Sequence, residues 1–281
     1  MTSKVIRSAR ARGWIVLAGV LIFAVAVLCG LVIFVWSVLA GTGPYSGSGA
    51  PPPVSPTITA SSSPSIRPAP TAPAEAALKS AKDALAARPM LAVAPADALP
   101  QPLTGYTTTA PLMLPAATNT TGPLPTGYPR TPQGAVAQLA AINALALKDL
   151  NPANPKAAYD WASLPGAVPF EQWTPQVGVA AILAAAGTPQ GSTDLTSTWT
   201  LTHAQIKGVL DGGNFVVACV LGEFDANYRS IVRAGVGDCQ RMVWHQGRWW
   251  IGPGAQPAFA PSTWPGSASC VRANWQEVRN A

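Results

Sequence analysis

Proline is the residue that most restricts where this chain of 281 residues can form a compact fold. Of its 29 prolines, 18 lie between Pro44 and Pro129. Proline fixes φ and donates no backbone hydrogen bond, so a stretch rich in Pro, Ser, Thr and Gly favours extended, solvated chain. We therefore predict a linker over residues 41–130 and one folded domain over residues 131–281, which is long enough to bury a core.

One segment of the predicted linker has a different composition. Residues 73–89, PAEAALKSAKDALAARP, are rich in Ala and have Pro at both ends, which predicts a short helix near residues 74–88. Leu78 and Leu85 would form its narrow apolar stripe. A helix of this length is marginal alone in water, so we expect it to dock on the domain or on a partner.

A long apolar run precedes the linker. Residues 14–40 contain no charged residue over 27 positions, and about 20 apolar residues suffice to cross a bilayer core. Trp14 and Trp36 lie near the two ends of the run, where indole favours the lipid–water boundary. The run is longer than the apolar region of a cleaved signal peptide, which remains the alternative. We predict a transmembrane helix.

The charges orient this predicted helix and exclude one class of function. Residues 1–13 carry four basic residues and no acidic one, so the positive-inside rule places this tail in the cytoplasm and the domain outside the cell membrane. From residue 131 onward nine basic residues balance nine acidic ones, although the whole chain has a net charge of +6. A neutral domain lacks the basic surplus of a nucleic-acid-binding surface, so no direct contact with nucleic acid is predicted.

Capping signals and spacing predict helices in the first half of the domain. Thr131 is a good N-cap and Pro132 suits the first helical position. The same pattern recurs at Thr174 and Pro175, and a short helix is indicated between residues 155 and 166. Apolar residues at three- and four-residue spacing follow Pro132, namely Val136, Leu139, Ile142, Ala146 and Leu150.

After Gly191 the apolar period becomes that of strands. Short strands separated by the turn sequences DGG (211–213), DAN, GVG and QG predict an antiparallel meander, and Ala268, Val271, Trp275 and Val278 indicate one face of a C-terminal helix. Helices followed by antiparallel strands predict an α+β fold. We expect an NTF2-like cone, in which a strongly bent sheet packs on N-terminal helices, with a cystatin-like arrangement as the alternative.

Three cysteines follow the predicted membrane helix. An exported location permits disulfides, and Cys219 and Cys239 fall on strands of the same meander, so we predict that they form a disulfide. Cys270 would then be left buried or available for an intermolecular bond. The alternative is that all three are reduced and buried. No spacing typical of a metal site occurs, and no metal or cofactor is predicted.

Signals for an enzyme are weak. The two histidines, His203 and His245, both fall in predicted strands, where a structural role is more common than a catalytic one. Glu223 and Asp225 flank a turn and could form a carboxylate pair, but an exposed hairpin end explains them as well. No nucleophile elbow, phosphate-binding loop or dinucleotide fingerprint is present. We predict no catalytic residues and no enzymatic activity.

The aromatic residues of VWHQGRWWIG, residues 243–252, suggest a binding surface instead. Strand alternation places Trp249 and Trp250 on opposite faces, so one is expected in the core and the other on the surface. Both are retained as candidates for contact with a partner protein or a cell-wall glycan, because aromatic side chains are enriched in such contacts.

The order of a basic tail, one membrane span, a linker and an α+β domain resembles the VirB8 and TcpC families, the assembly proteins of conjugative type IV secretion. Closer sequence likeness is to actinobacterial membrane-anchored proteins associated with mobile elements. The present chain has a longer linker, and one domain where TcpC-like proteins carry two. The segments that carry the closer likeness are PTGYPRTPQGAVAQLAAI (125–142), FVVACV (215–220), DCQRMVW (238–244) and PAFAPSTWPGS (257–267).

This resemblance implies an exported NTF2-like domain and a non-enzymatic role as a scaffold of a conjugation apparatus. The implied partners are other membrane or envelope proteins of the apparatus, and further copies of the chain if it forms a homo-oligomer. The alternative is an envelope-associated module that binds cell-wall glycan or a small ligand.

Overall fold

The computed structural model describes residues 72–104 and 109–281. It has an α+β fold, which confirms the predicted class, with helices packed on a strongly curled sheet of six strands. The α-helices in these residues are α1 (Ala72–Ala87), α2 (Pro132–Ala146), α3 (Ala153–Ala162), α4 (Thr174–Ala185) and α5 (Ala268–Arg272). The strands are β1 (Leu112–Leu114), β2 (Thr196–Leu210), β3 (Phe215–Tyr228), β4 (Ser230–His245), β5 (Arg248–Ile251) and β6 (Gln276–Asn280).

The strand order is β1–β6–β2–β3–β4–β5. β1 pairs with β6 in parallel, and the other neighbouring strands are antiparallel. The predicted turn over residues 211–213 connects β2 to β3, with positive φ at Asp211, Gly212 and Gly213. Two irregularities in the β2–β3 register, at Leu201/His203 and Ile206/Gly208, bend the sheet as β-bulges do.

Helix α2 begins where its capping sequence predicts. The Thr131 side chain accepts a hydrogen bond of 3.1 Å from the backbone N–H of Gly134, and Pro132 opens the helix. Four of the five apolar residues predicted for its buried face lie within the helix and are 0% exposed. The fifth, Leu150, is 1% exposed but follows the end of the helix. Helix α4 differs in detail, because Trp173 rather than Thr174 is the N-cap and makes no side-chain capping bond.

Both faces of the sheet are covered, which explains the continuous apolar run of β3. Val216, Ala218 and Val220 pack with helices α2 and α4 in the main core. The alternate residues face the other way: Phe215 and Val217 pack on Ala86 of α1, and Cys219 and Leu221 pack on the C-terminal segment around Cys270 and Trp275. A strand that is buried on both faces has apolar residues at consecutive positions rather than at alternate ones.

Part of the predicted linker belongs to this packed structure, so the folded unit starts before the expected boundary at Thr131. Helix α1 lies on the outer face of the sheet, with Ala86 2% exposed, and β1 adds a strand beside β6. Leu114 and Leu124 are also buried. The few apolar residues between the prolines therefore supply contacts that composition alone does not reveal.

Charged side chains fix α1 at two points. Asp83 forms an ion pair of 2.8 Å with Arg241, whose side chain is 6% exposed, and Lys82 forms one of 2.7 Å with Asp211. The neighbouring Lys79 and Arg241 lower the pKa of Asp83 by hydrogen bonds and by their positive charge. Of the two expected docking partners for this helix, the domain itself is the one that the structure shows.

The predicted C-terminal helix is wrong beyond residue 272. Helix α5 ends there, Asn274 adopts a positive φ of 58°, and the chain continues as strand β6. The backbone N–H of Ala281 donates to the carbonyl of Leu114, which holds this strand beside β1. Apolar residues at three- and four-residue spacing wrongly predicted a helix here. The segment forms a strand because it pairs with β1, whose residues lie 166 positions earlier in the sequence.

Strands β3 and β4 are longer than predicted. The expected breaks at DAN and GVG lie inside strands, and the chain turns instead at Arg229, which has a φ of 58°. Gly235 allows the backbone of the C-terminal segment to cross the sheet closely, since a Cβ there would lie 1.8 Å from the carbonyl oxygen of Thr263. The glycines of GVG therefore permit close packing rather than a turn.

The predicted transmembrane helix, residues 14–40, lies outside the described residues, as do the basic tail and the first part of the linker. Among residues 72–104 and 109–281, no helix has the length and hydropathy needed to cross a bilayer.

Cys219 and Cys239 lie directly opposite each other on β3 and β4, and a disulfide joins them. Their Cα atoms are 4.1 Å apart, and Met90 packs against both sulfurs. Cys270 is buried in the same cluster and, among the described cysteines, has no disulfide. Burial raises the pKa of its thiol, so Cys270 stays protonated and behaves as an apolar residue.

Replacing both Cys219 and Cys239 with alanine should lower the free energy of unfolding by about 3 kcal/mol, because the disulfide closes a loop of about 20 residues in the unfolded chain. Urea unfolding of the two proteins measures this difference. A reductant should destabilise the wild type and leave the double variant unchanged. Equal sensitivity of both proteins to the reductant would contradict the assignment of this disulfide.

Candidate interaction surface

The structure separates the two tryptophans that the sequence proposed for a binding surface. Trp249 is 1% exposed, contacts the edge of Trp244 and donates a hydrogen bond of 2.9 Å to the carbonyl of Pro129. Trp249 is therefore a core residue, and its prediction as a candidate for partner contact is wrong. The alternation of strand β5 places its neighbour Trp250 on the opposite face, where its side chain is partly exposed.

Trp250 belongs to a stack of three side chains, which we call the Trp–Arg stack: Trp161, Arg248 and Trp250. The guanidinium carbon of Arg248 lies 3.8 Å from the ring centre of Trp161 and 3.3 Å from that of Trp250. All three side chains are partly exposed. Sandwiching of a guanidinium between two indoles holds its cation in a fixed position, since the ring faces attract it.

Backbone contacts position this stack. Arg248 donates a hydrogen bond of 3.0 Å to the carbonyl of Trp161, and the Trp250 indole donates one of 2.9 Å to the carbonyl of His245. The end of helix α3 is tied to the same strand, because Leu164 donates its backbone N–H to Ile251. The stack therefore lies at β5, the terminal strand of the sheet, on a rigid base.

Arg248 keeps unused hydrogen-bonding capacity. Arginine has five N–H donors, and one guanidinium nitrogen is engaged with the carbonyl of Trp161. Partial burial lowers the pKa of Arg248 from its usual value, but an arginine side chain remains charged at neutral pH. Tryptophan and arginine are the residues most enriched among those that dominate binding energy in protein interfaces.

The proposed carboxylate pair is held by a third residue. Arg233, opposite Asp225 on the neighbouring strand, forms ion pairs with both Glu223 and Asp225, and its distance to Asp225 is 2.7 Å. The guanidinium also lies 5.3 Å from the ring centre of Trp264. The single positive charge of Arg233 offsets one of the two negative charges and holds both carboxylates at the sheet surface, which fits a structural role.

The two histidines lie apart from each other and from these carboxylates. His203 is 7% exposed, pairs with Glu277 across β2 and β6, and has a pKa lowered by burial against the opposing effect of that carboxylate. His245 is exposed at the end of β4, where it pairs with Arg248. No ion pair joins either histidine to a carboxylate within residues 72–104 and 109–281, and no cluster there could hold a metal ion.

Sequence reasoning missed a buried polar network on the inner face of the sheet. Asp238, 3% exposed, accepts hydrogen bonds from Asn143 of α2 at 3.0 Å and from Gln240 at 2.9 Å. Burial raises the pKa of Asp238 to about 6, although both hydrogen bonds favour its charged form. The sequence offered one sign of this network: Asn143 lies on the apolar face of a predicted helix. A buried amide requires a polar partner, so its position indicates a second buried polar group.

The Asp238 carboxyl should make stability depend on pH in an unusual direction. Its pKa is higher in the folded protein than the model-peptide value of 3.8, so the folded state binds the proton more tightly. Its contribution to the free energy of unfolding should therefore rise as pH falls from 7 to 4, by roughly 2–3 kcal/mol. Denaturant unfolding of the wild type and of Asp238→Asn across this pH range measures this contribution, as the difference between their free energies of unfolding.

The comparison between these two proteins cancels the contributions of the other carboxylates. The variant should lack the gain at low pH, while Asp194→Asn, a control at an exposed position, should follow the wild type. Parallel profiles for Asp238→Asn and the wild type would show that this carboxyl is not the buried titrating group.

Comparisons of this chain with protein-family models, with curated proteins and with solved structures give no match.

Proposed function

We propose that this chain is a single-pass membrane protein that presents a non-enzymatic NTF2-like domain outside the cell membrane, as an assembly component of a conjugative transfer apparatus of the type IV secretion kind. The proposal is supported by the order of basic tail, apolar run, linker and domain, and by the quoted segments that resemble such proteins. A curled sheet packed on helices is compatible with the cone that this proposal requires.

The observation that carries the proposed role is the Trp–Arg stack. It places two indoles and a guanidinium on the terminal strand of the sheet, fixed by stacking and by backbone hydrogen bonds. A rigid group of this kind loses little conformational entropy when a partner binds, and it offers both apolar area and charged donors. A scaffold protein needs such a surface rather than a catalytic cavity.

Tethering is the proposed mechanism. The anchor restricts the domain to the membrane surface, and the linker sets the distance over which it can meet other components. Because anchored copies share a small volume, contacts that are weak in solution can hold an assembly together. Because α1 docks on the domain, its residues Ala72–Ala87 belong to the packed structure and do not add to the reach of the linker.

Transfer of DNA from a deletion strain tests the role, with complementation by variants. The wild-type gene should restore transfer, and Trp250→Ala combined with Arg248→Ala should restore less than about a tenth of it, since each hot-spot truncation typically costs 2 kcal/mol or more. Phe259→Ala combined with Arg272→Ala is the matched control, because Phe259 is 47% exposed and Arg272, at the end of α5, is also exposed. The DNA-processing steps should continue in the deletion strain.

Normal transfer without the gene would reject the proposal. Full complementation by the stack variant, at wild-type protein levels, would reject the Trp–Arg stack as the contact while leaving the role in transfer open to other surfaces.

The second candidate is a module that binds cell-wall glycan. The partly exposed indole of Trp250 favours it, because sugar rings pack on exposed aromatic faces. Sedimentation of the purified protein with isolated cell wall would distinguish the two: retention by the wall that is lost in Trp250→Ala, with folding unchanged, favours the glycan. Absence of retention by the wall favours the assembly role.

A further inference from the structure

A small cleft of about 180 Å³ lies between the end of helix α1 and strand β2. Arg88 and Lys207 line it together with the side-chain amide of Gln205, the turn residue Asn274 and the thioether of Met90. It is on the outer face of the sheet, opposite the inner face that packs on helices α2 and α4. None of its residues belongs to the Trp–Arg stack.

Two cations are fixed side by side in this cleft. Lys207 is 7% exposed and its Nζ donates a hydrogen bond of 2.8 Å to the carbonyl of Ala86, at the end of α1. Arg88 donates through its guanidinium to the backbone carbonyl of Lys207. These bonds oblige the two side chains to lie near each other despite their like charge.

No acidic side chain neutralises this pair. None of the ion pairs in the described residues includes Arg88 or Lys207. All 12 Asp and Glu residues of the chain lie within residues 72–104 and 109–281, so the undescribed segments cannot supply a carboxylate side chain. The carbonyl groups at the end of α1 offset part of the charge, but a helix end is equivalent to only about half an elementary charge.

We infer that this cleft binds a small oxyanion, a carboxylate or a phosphate group, between Arg88 and Lys207. A guanidinium and an ammonium together are the usual donors for such groups. The Gln205 Oε1 atom is buried and has no hydrogen-bond partner in the described part of the chain. Rotation of its amide by half a turn would put N–H donors in the place of this oxygen, where they could donate to the anion.

The charge state of Lys207 agrees with this assignment. Burial and the neighbouring Arg88 lower its pKa to about 8, so it is still mostly protonated at pH 7. Burial and the positive charge of Arg88 both raise the free energy of the protonated Lys207 side chain, because no counter-charge from the described residues lies in the cleft. A bound anion would remove the electrostatic part of that cost. The size of the cleft, well below the roughly 300 Å³ of sites for drug-sized ligands, fits a group of a few heavy atoms.

Methionine methyl NMR of the full-length protein in detergent tests the inference directly. The chain has 4 methionines, of which Met90 lines the cleft, Met113 lies on β1 and Met242 is buried on the inner face. We expect sodium phosphate or sodium acetate, added at pH 7 and constant ionic strength, to shift the Met90 signal saturably. The signals of Met113 and Met242 should not move, and sodium chloride should have no saturable effect.

Variants assign the effect to the two cations. Lys207→Gln and Arg88→Gln should each weaken binding about tenfold, the effect of losing one charge-assisted hydrogen bond. Lys148→Gln, which removes an exposed lysine elsewhere, should bind as the wild type does. The Met113 and Met242 signals report whether each variant is folded, and Arg88, being exposed, is the substitution least expected to disturb the fold.

Each outcome decides the inference. Shifts with phosphate alone, with acetate alone or with both support an oxyanion site and identify the group it prefers. Absence of a saturable shift up to about 50 mM, well beyond a millimolar dissociation constant, would overturn it. An equal loss of binding in Lys148→Gln would overturn it as well, because the effect would then come from net charge.

Discussion

A fragment that begins at Thr131 should fail to fold, whereas a fragment that begins at Ala72 should unfold cooperatively in urea. The longer fragment retains α1 and β1, which cover the outer face and one edge of the sheet. Removing them exposes Phe215 and Val217 and leaves Arg241, 6% exposed, without its carboxylate partner. Each large apolar contact that is lost lowers the free energy of unfolding by about 2–5 kcal/mol. Loss of several such contacts therefore exceeds the total free energy of unfolding of a typical domain, about 5–15 kcal/mol.

Circular dichroism and the urea transition of the two fragments measure this difference. A third fragment that begins at residue 109 keeps β1 and removes α1, and it should have intermediate stability. If the fragment from Thr131 showed the same cooperative transition as the fragment from Ala72, the packed role of the proline-rich region would be refuted.

Replacing Gly235 with alanine should destabilise the domain by at least about 3 kcal/mol. The added Cβ would lie 1.8 Å from the carbonyl oxygen of Thr263 and 3.1 Å from the Cα of Trp264, and both are backbone atoms. The C-terminal segment would have to move away from β4 to accommodate it. The free energy of unfolding from denaturant titration gives the size of the effect.

Gly178→Ala is the matched control for this substitution. Gly178 lies within helix α4, and a Cβ there would meet no atom within 4 Å. Alanine favours helix over glycine by about 0.5–1 kcal/mol, so this variant should be slightly more stable than the wild type. Equal effects of the two substitutions would mean that the crossing of the C-terminal segment over β4 is not as close as described.

The sequence predicts those parts of the fold that depend on local signals. Helix α2 begins at Thr131 because its cap and first residue are chemically specified, and the apolar spacing identifies its buried face. Distant pairing is what escaped prediction. Strand β6 forms because it pairs with β1 on one side and β2 on the other. Neither the spacing of its apolar residues nor the secondary-structure propensity of its sequence excluded a helix.

The same distinction applies to the candidate surface. Strand alternation predicts that Trp249 and Trp250 face opposite ways, but it cannot tell which face is covered. The structure shows that the carbonyl of Pro129 and the side chain of Trp244 cover Trp249. The stacking of Arg248 on Trp161 depends on where helix α3 ends relative to β5, and no pattern in the sequence specifies that distance.

Photocrosslinking from position 245 in living, conjugating cells tests the central claim most directly. His245 is exposed and pairs with Arg248 across β4 and β5, so a probe there lies beside the Trp–Arg stack and leaves its three side chains unchanged. The full-length protein would carry a benzophenone amino acid in place of His245, and a second strain would carry it in place of the exposed Lys148. We predict a discrete product from position 245 that contains an envelope protein encoded with the transfer apparatus, and no such product from position 148. A product that contains cell-wall glycan alone, or no product from position 245, would contradict this claim.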